Sequence, residues 1–323
     1  MDTKKILCVG IVTVDVITRP VSALPPAGIA AHVDSVSMHV GGCAANAAAA
    51  LVKMGFDPAL VIKTGDDGFA GFVRNTLSSV GVDLSRTVTD PALETGATTV
   101  LVSPGGERSF LHNPGANDRL LSSDVPDSLL DECDILFIAG TFLMEDFDGE
   151  ECRKLLLRAK EKGLFTCLDT AWDFRGYWMK KLGPCLPLLD LFMPSYDEAV
   201  ALADGEKSLP GLADCFFRKG AKNVVIKCGA DGAYIAEAGK EPFLSPSFPV
   251  EKPADTTGAG DSFCAGFLAA LSLGRSFEEA GRLGNAIGHF CVTGVGATSG
   301  IPTLKEAEKY MNEHAKPPIF GYK

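Results

Sequence analysis

The chain has 323 residues, 46% hydrophobic and 22% charged, with a formal net charge of -11. This length and apolar content suit one large α/β domain carrying an inserted element, and no repeat or low-complexity tract interrupts it. The acidic balance disfavours phosphate backbones and anionic lipid, which sets nucleic-acid and membrane binding aside as default functions.

Residues 6–12 open the chain as a short aliphatic strand behind Lys4 and Lys5. This run is too short for a leader peptide or a membrane span, so a cytoplasmic protein is expected. Residues 13–40 hold strand-like pieces at 14–18 and 32–39 around a Pro25-Pro26 turn. A helix is predicted over 44–54, a strand over 59–64 and a helix over 69–80. Residues 97–112 read as a hairpin, 98–102 and 108–111, around Pro104-Gly105-Gly106-Glu107. Strands follow at 135–139, 165–169, 188–193, 223–227 and 233–236. Helices are expected at 151–162, 196–203, 212–219, 261–273 and 277–293. The alternation predicts a mostly parallel sheet covered by helices on both faces. The two helix-free segments, 13–40 and 97–112, together predict a small β sheet, either a lid over a pocket or a plain edge of the fold. Residues 1–315 thus form one domain, and 316–323 an extended, poorly ordered tail. Ten cysteines show no CxxC pair and lie mostly in apolar runs, as buried thiols in a reducing compartment do.

The most informative stretch is Asp255-Thr256-Thr257-Gly258-Ala259-Gly260-Asp261-Ser262-Phe263. Gly258, Ala259 and Gly260 let a ligand approach the backbone at a helix start, where unpaired N–H groups and the helix dipole favour an anion. Asp261 stands beside that anion site. It is either a helix-capping acid or a base that takes a proton from an attacking hydroxyl. There is no GxxxxGK[ST] loop, and Gly10 is not followed by the pattern of a dinucleotide fingerprint.

This stretch closely resembles the C-terminal motif of the ribokinase or PfkB sugar-kinase family. Gly41-Gly42-Cys43-Ala44-Ala45-Asn46 resembles the family's N-terminal motif, in the expected order. The resemblance implies a ribokinase-like three-layer α/β fold with a β lid, ATP and Mg²⁺ as cofactors, and a homodimer formed through the lid. It implies Asp261 as general base and the amides of Gly258, Ala259 and Gly260 as anion hole. Gly41, Gly42, Asn46 and Asp15 then face a sugar. Their bland readings are a packing diglycine, a surface amide and a turn aspartate. His112, Asn113 and Asn117 also face the substrate from the lid side, although Asn-Pro-Gly is equally good turn chemistry.

On the nucleotide side the resemblance points to Lys227, Gly229, Gly232, Thr257 and Asn285. Glu198 matches the family's magnesium glutamate, acting through water, with Ser195 where the family carries asparagine. Backbone carbonyls of Asp255 and Thr257 match a K⁺ site found in many relatives. Thr13 and Cys43 depart from the ribokinase pattern, which puts plain ribose specificity in doubt. The lid segments hold only Arg19 and Arg108 as cations, and few aromatics stand near them (Phe110 and Phe142). A free, uncharged sugar is therefore favoured over a sugar phosphate or a nucleoside.

Overall fold

The computed structural model describes residues 3–314 and 316–321. The first strand, β1 (Ile6–Gly10), is buried along its whole length. Ile6 and Cys8 enter one core, Leu7 and Val9 the other, as a strand covered on both faces requires. β2 (Thr13–Arg19) and β3 (Ser35–Gly41) leave this layer before α1 (Cys43–Lys53) returns to it. β4 (Ala59–Val61), β5 (Lys63–Thr64), α2 (Gly68–Val80) and β6 (Val88–Thr89) follow. Next come the hairpin β7 (Ala97–Val102) and β8 (Arg108–Asn113), then α3 (Asp127–Asp131), β9 (Ile135–Thr141) and α4 (Cys152–Glu161). The second half runs β10 (Phe165–Thr170), α5 (Met179–Leu182), β11 (Leu191–Phe192), α6 (Tyr196–Leu202), α7 (Leu209–Arg218) and β12 (Asn223–Lys227). It ends with β13 (Ala233–Glu237), β14 (Phe243–Ser245), α8 (Ala259–Ser272), α9 (Phe277–Thr293), α10 (Leu304–Glu313) and β15 (Ile319–Phe320).

Nine strands form the main sheet in the order β15-β14-β13-β12-β11-β10-β9-β1-β4. The pairs from β4 to β12 are parallel, and β13, β14 and β15 extend the sheet antiparallel. One core lies between the sheet and α1, α8 and α9, the other between the sheet and α4, α6 and α7. The helix contacts on the first side are close because the residues are small. A Cβ added at Gly266 of α8 would stand 2.9 Å from the Leu283 carbonyl oxygen of α9. In α1 every residue from Ala44 to Leu51 is buried, and four successive alanines keep it tight against the sheet.

The expected lid is a separate four-stranded sheet in the order β3-β2-β7-β8. Its register lines up His39, Asp15, Thr98 and His112 across the strands, so these four share one face. Residues 59–64 divide in two, β4 staying in the main sheet and β5 turning away to pair with β6. The strand predicted at 188–193 shortens to β11 because 186–188 form a 3₁₀ turn. α7 starts three residues before its predicted position: Ser208 caps it, and Pro210 fits the first helical turn. The tail is extended as expected but joins the sheet as β15, where the Phe320 ring packs 5.5 Å from that of Phe243.

Candidate active site

The site begins with how α8 starts. Gly258 precedes it in the left-handed region at φ 75°, and no side chain caps the helix. A Cβ there would lie 2.6 Å from the Ala297 Cβ, so glycine is required twice over. The Ala259 N–H donates to the Thr256 carbonyl at 3.3 Å, while the first-turn N–H of Gly260 is left open beside a cleft, with Asp261 directly after it.

Asp261 does not cap the helix. Its Oδ2 accepts a hydrogen bond of 2.8 Å from the Asn46 amide, 215 residues away in the chain. Asn46 is buried on α1, and its position depends on the diglycine. Gly42 has φ 95°, and a Cβ there would fall 2.5 Å from the Val12 Cα. A Cβ on Gly41 would fall 2.4 Å from Asp15 Oδ2. Asp15 in turn accepts from the Thr13 hydroxyl at 3.0 Å. Burial raises the Asp15 carboxyl above its ordinary value against the hydrogen bonds of Thr13 and Thr98, and the charge of Asp261 adds to the rise. Asp15, Gly41, Gly42, Asn46 and Asp261 are thus assembled in one place.

Beyond Asp15 the lid row ends at His112. Its Nδ1 lies 3.0 Å from the Thr98 hydroxyl, and its Nε2 is buried with no partner among the described residues. Asn113 alternates to the opposite face, where its amide donates to Glu94 at 3.0 Å and its oxygen accepts from the Gly115 N–H. Asn117 is also spoken for: it binds both the N–H and the carbonyl of Val12. The lid residue on the Asp15 side is therefore His112, while Asn113 and Asn117 hold turns.

The cleft at α8 has a volume of about 760 Å³. Ala259, Gly260, Asp261, Lys227, Gly229, Gly232, Asn285 and Glu198 all line it, as does Cys43. Gly232 has φ 107° and admits no side chain, since a Cβ would sit 2.1 Å from the Ser245 carbonyl oxygen. The Asn285 amide donates to the carbonyl and hydroxyl of Ser245 at 2.9 and 3.1 Å, fastening α9 to β14 beneath the cleft. Glu198 Oε2 accepts from the Thr170 hydroxyl and the Ser195 N–H, both at 2.9 Å. Ser195, in place of an asparagine, closes a capping box with Glu198 at the start of α6.

Lys227 reaches into the cleft from the end of β12. Burial works against its charge, but the carboxylate of Asp169 outweighs this and holds the lysine above its ordinary value. Neither Asp169 nor the cleft-lining Trp172 was among the residues the motifs single out. The available signal was local: an acid at the carboxyl end of a buried parallel strand, where open α/β sheets place their ligands.

Asp255 and Thr257 lie at the turn into α8. Asp255 Oδ1 accepts from the Thr257 N–H and from Arg108 of the lid at 2.7 Å, and its Oδ2 accepts from the Gly296 N–H. Although burial opposes it, these bonds hold the Asp255 carboxyl down at about 2. Arg108 also donates to the Thr257 hydroxyl at 2.5 Å. It makes the lid's one ion pair to the main sheet domain among the described residues. The carbonyl oxygens of Thr257 and Ala297 both face Cys291 Sγ, at 3.3 and 3.1 Å.

No group of three or more His, Cys, Asp or Glu side chains among the described residues converges to hold a metal by itself. The single carboxylate of Glu198 fits an ion that keeps most of its own waters, as Mg²⁺ does. Backbone carbonyls are the donor type that a monovalent cation takes, and here those of Thr257 and Ala297 accept from the Cys291 thiol.

Residues 3–304 match the model of the pfkB family carbohydrate kinases. The chain belongs to that family. It is therefore a phosphotransferase, a sugar kinase of the PfkB/ribokinase type. It is 32% identical over 282 residues to a ribokinase of Haemophilus influenzae, spanning 85% of this chain and 88% of that one. It is 27% identical to a 2-dehydro-3-deoxygluconokinase of Bacillus subtilis, over 87% of this chain and 89% of the other. The fold superimposes on a ribokinase of Thermotoga maritima with a TM-score of 0.81 and 26% identity, covering 96% and 99% of the two chains. On an Arabidopsis thaliana ribokinase solved with ribose and ATP the TM-score is 0.83 at 23% identity, covering 96% and 98%. The relatives include kinases of several different sugars, so membership in this carbohydrate kinase family does not itself select a substrate. No described helix is long and apolar enough to cross a membrane.

Proposed function

We propose that this sugar kinase transfers the γ-phosphoryl group of ATP to a primary hydroxyl of a small uncharged sugar, a ketohexose or a pentose. The observation that carries the reading is the 2.8 Å contact between Asn46 and Asp261, which joins the diglycine helix to the open start of α8. An acceptor hydroxyl placed there donates to Asp261, and the Asn46 amide orients the carboxylate toward it. The amides of Gly258, Ala259 and Gly260 face the charge that develops on the transferred group. Lys227 lies on the phosphate side. Glu198 would hold Mg²⁺ through water, and the ion would supply charge neutralisation there. Gly229, Gly232 and Asn285 border the nucleotide.

The preference for an uncharged acceptor rests on where the cations are. Arg108 is committed to Asp255 and Thr257, and Lys227 to Asp169, while Arg19 contacts Ser35 at the far end of β2. The acceptor end is lined by Asp15, Thr98 and His112, which suit hydroxyls. One feature favours a second reading, a nucleoside acceptor. The indole of Trp172 is 56% exposed, lines the cleft and meets Trp178 edge-on at 5.0 Å, giving a flat surface that the lid itself lacks. ADP release measured across free sugars, sugar phosphates and nucleosides tests this. The highest kcat/KM is expected on a ketohexose or pentose, and a nucleoside optimum would select the second reading. Absence of ADP release with every acceptor would leave a binding module.

K⁺ held by the carbonyls of Asp255 and Thr257 is part of the proposal, as is a homodimer through the lid, whose Val36, Phe110 and Leu111 are each more than half exposed. Cytoplasmic residence fits the ten unpaired cysteines.

A further inference from the structure

Asp169 and Asp261 both line the cleft, and Lys227 is the only lysine or arginine among the described residues that does. Glu198 lines it as well, but its Oε2 is held by the Thr170 hydroxyl and the Ser195 N–H, so Asp169 and Asp261 compete for one ammonium. A carboxylate paired with an ammonium is a weaker base, because the neighbouring charge favours its ionised form. A lysine free to swing between them would pair with Asp261 and cover the oxygen that has to take the acceptor's proton.

The strands prevent this. Asp169 stands near the end of β10 and Lys227 at the end of β12, and the backbone that follows β11 runs between them, bridged to Lys227 at Ser195. Both side chains turn to the α8 side of the sheet, like Cys167 and Val225 two residues before them. The lysine stem passes over the 193–195 backbone, whose Pro194 carbonyl accepts from the Lys227 N–H at 2.9 Å, and its Nζ donates to Asp169 Oδ1 at 2.5 Å. The pair is nearly sealed, with Asp169 2% and Lys227 12% exposed. In this position Nζ lies 3.4 Å from where a Cβ on Gly260 would be, against the first turn of α8. Asp261 is left with two neutral partners, the amide of Asn46 and the thiol of Cys43.

We propose that Asp169 is a positioning residue. It holds Lys227 on the phosphate side of the α8 start and so keeps Asp261 free to act as the base. This rests on the reading of Asp261 and Lys227 given above. It assigns Asp169 no contact with the reacting atoms.

The test is a cycle of Asp169→Asn, Lys227→Met and the double variant, assayed with ATP and whichever of D-fructose or D-ribose the wild type turns over. Asp169→Asn is expected to lower kcat on the order of 10²-fold, a loss typical of a masked base, with KM for ATP changing less than threefold. In the Lys227→Met background the same substitution should cost nothing further, because no ammonium is left to misplace. Removing both charges of a buried pair is also tolerated better than removing one, so the double variant stays informative if Asp169→Asn folds poorly. Crystals of ligand-free Asp169→Asn should show Lys227 Nζ within hydrogen-bond distance of Asp261. Three results would overturn the proposal: an equal loss from Asp169→Asn in both backgrounds, a lysine still seated against Gly260, or a rate restored by excess Mg²⁺. A Lys227→Met variant as fast as wild type would instead overturn the phosphate-side role of the lysine, and the two failures are told apart by that single variant.

Discussion

Asp261 has one strong partner, the Asn46 amide, and this defines what its removal should do. Asp261→Asn keeps the shape of the site but cannot accept a proton. Turnover should fall by about 10²–10⁴-fold while ATP and sugar affinities, read by calorimetry, change little. Near-normal turnover would remove the base assignment. A second residue makes a pH prediction. Asp148 is 4% exposed, one of its oxygens has no partner, and burial pushes its carboxyl up to about 7. In the unfolded chain it titrates near the ordinary value, so between these limits the folded state binds the extra proton. Its contribution is therefore favourable below the unfolded value and is lost as pH rises toward 7. Asp148→Asn should raise the melting temperature at pH 8 more than at pH 4.5. An equal shift at both pH values would show that the carboxyl ionises freely in the folded protein.

At the level of elements, the proposed reaction depends on how α8 begins and on what the lid touches. Gly258→Ala places a Cβ against Ala297 and asks alanine for a left-handed backbone. The turn has to shift, and the amides that follow it lose their aim. A loss of at least 10²-fold in kcat is expected, comparable to removing an oxyanion donor, with the fold retained by circular dichroism. Arg108→Ala cuts the lid's ion pair to Asp255. On the proposed reading, closing the small sheet over the cleft keeps water out, so the ratio of ATP hydrolysis to sugar phosphorylation should rise. An unchanged ratio would make Arg108 a merely structural contact. Both effects turn on partners far away in the chain, which explains what the sequence could reveal. Regular alternation made β1, β9, β10 and β12 legible, and the two glycine motifs marked α1 and α8. α10 was readable only from its capping box, Thr303 with Glu306. The pairing of β5 with β6, three residues of β14 and the commitment of Arg108 to Asp255 follow from tertiary packing and carry no periodic signal. The face of the lid was a question of register, and one residue of offset separates His112 from Asn113.

For the whole molecule, the exposed apolar residues of the lid predict a dimer, and light scattering at micromolar concentration should give about twice the chain mass of 34.0 kDa. A monomer would confine the lid to covering its own cleft. The contact of Asn46 with Asp261 has a wider consequence. In the proposed reaction the acceptor-side residues run from Asp15 to His112, and the proton acceptor, Asp261, lies in the last quarter of the chain. On that reading a polypeptide emerging from the ribosome stays inactive until α8 has docked on α1. A backbone nick at the exposed Gly205–Lys207 bend would yield two fragments, each inert alone. Returning phosphorylation would then report that the pieces had found each other, making this kinase a sensor of its own assembly.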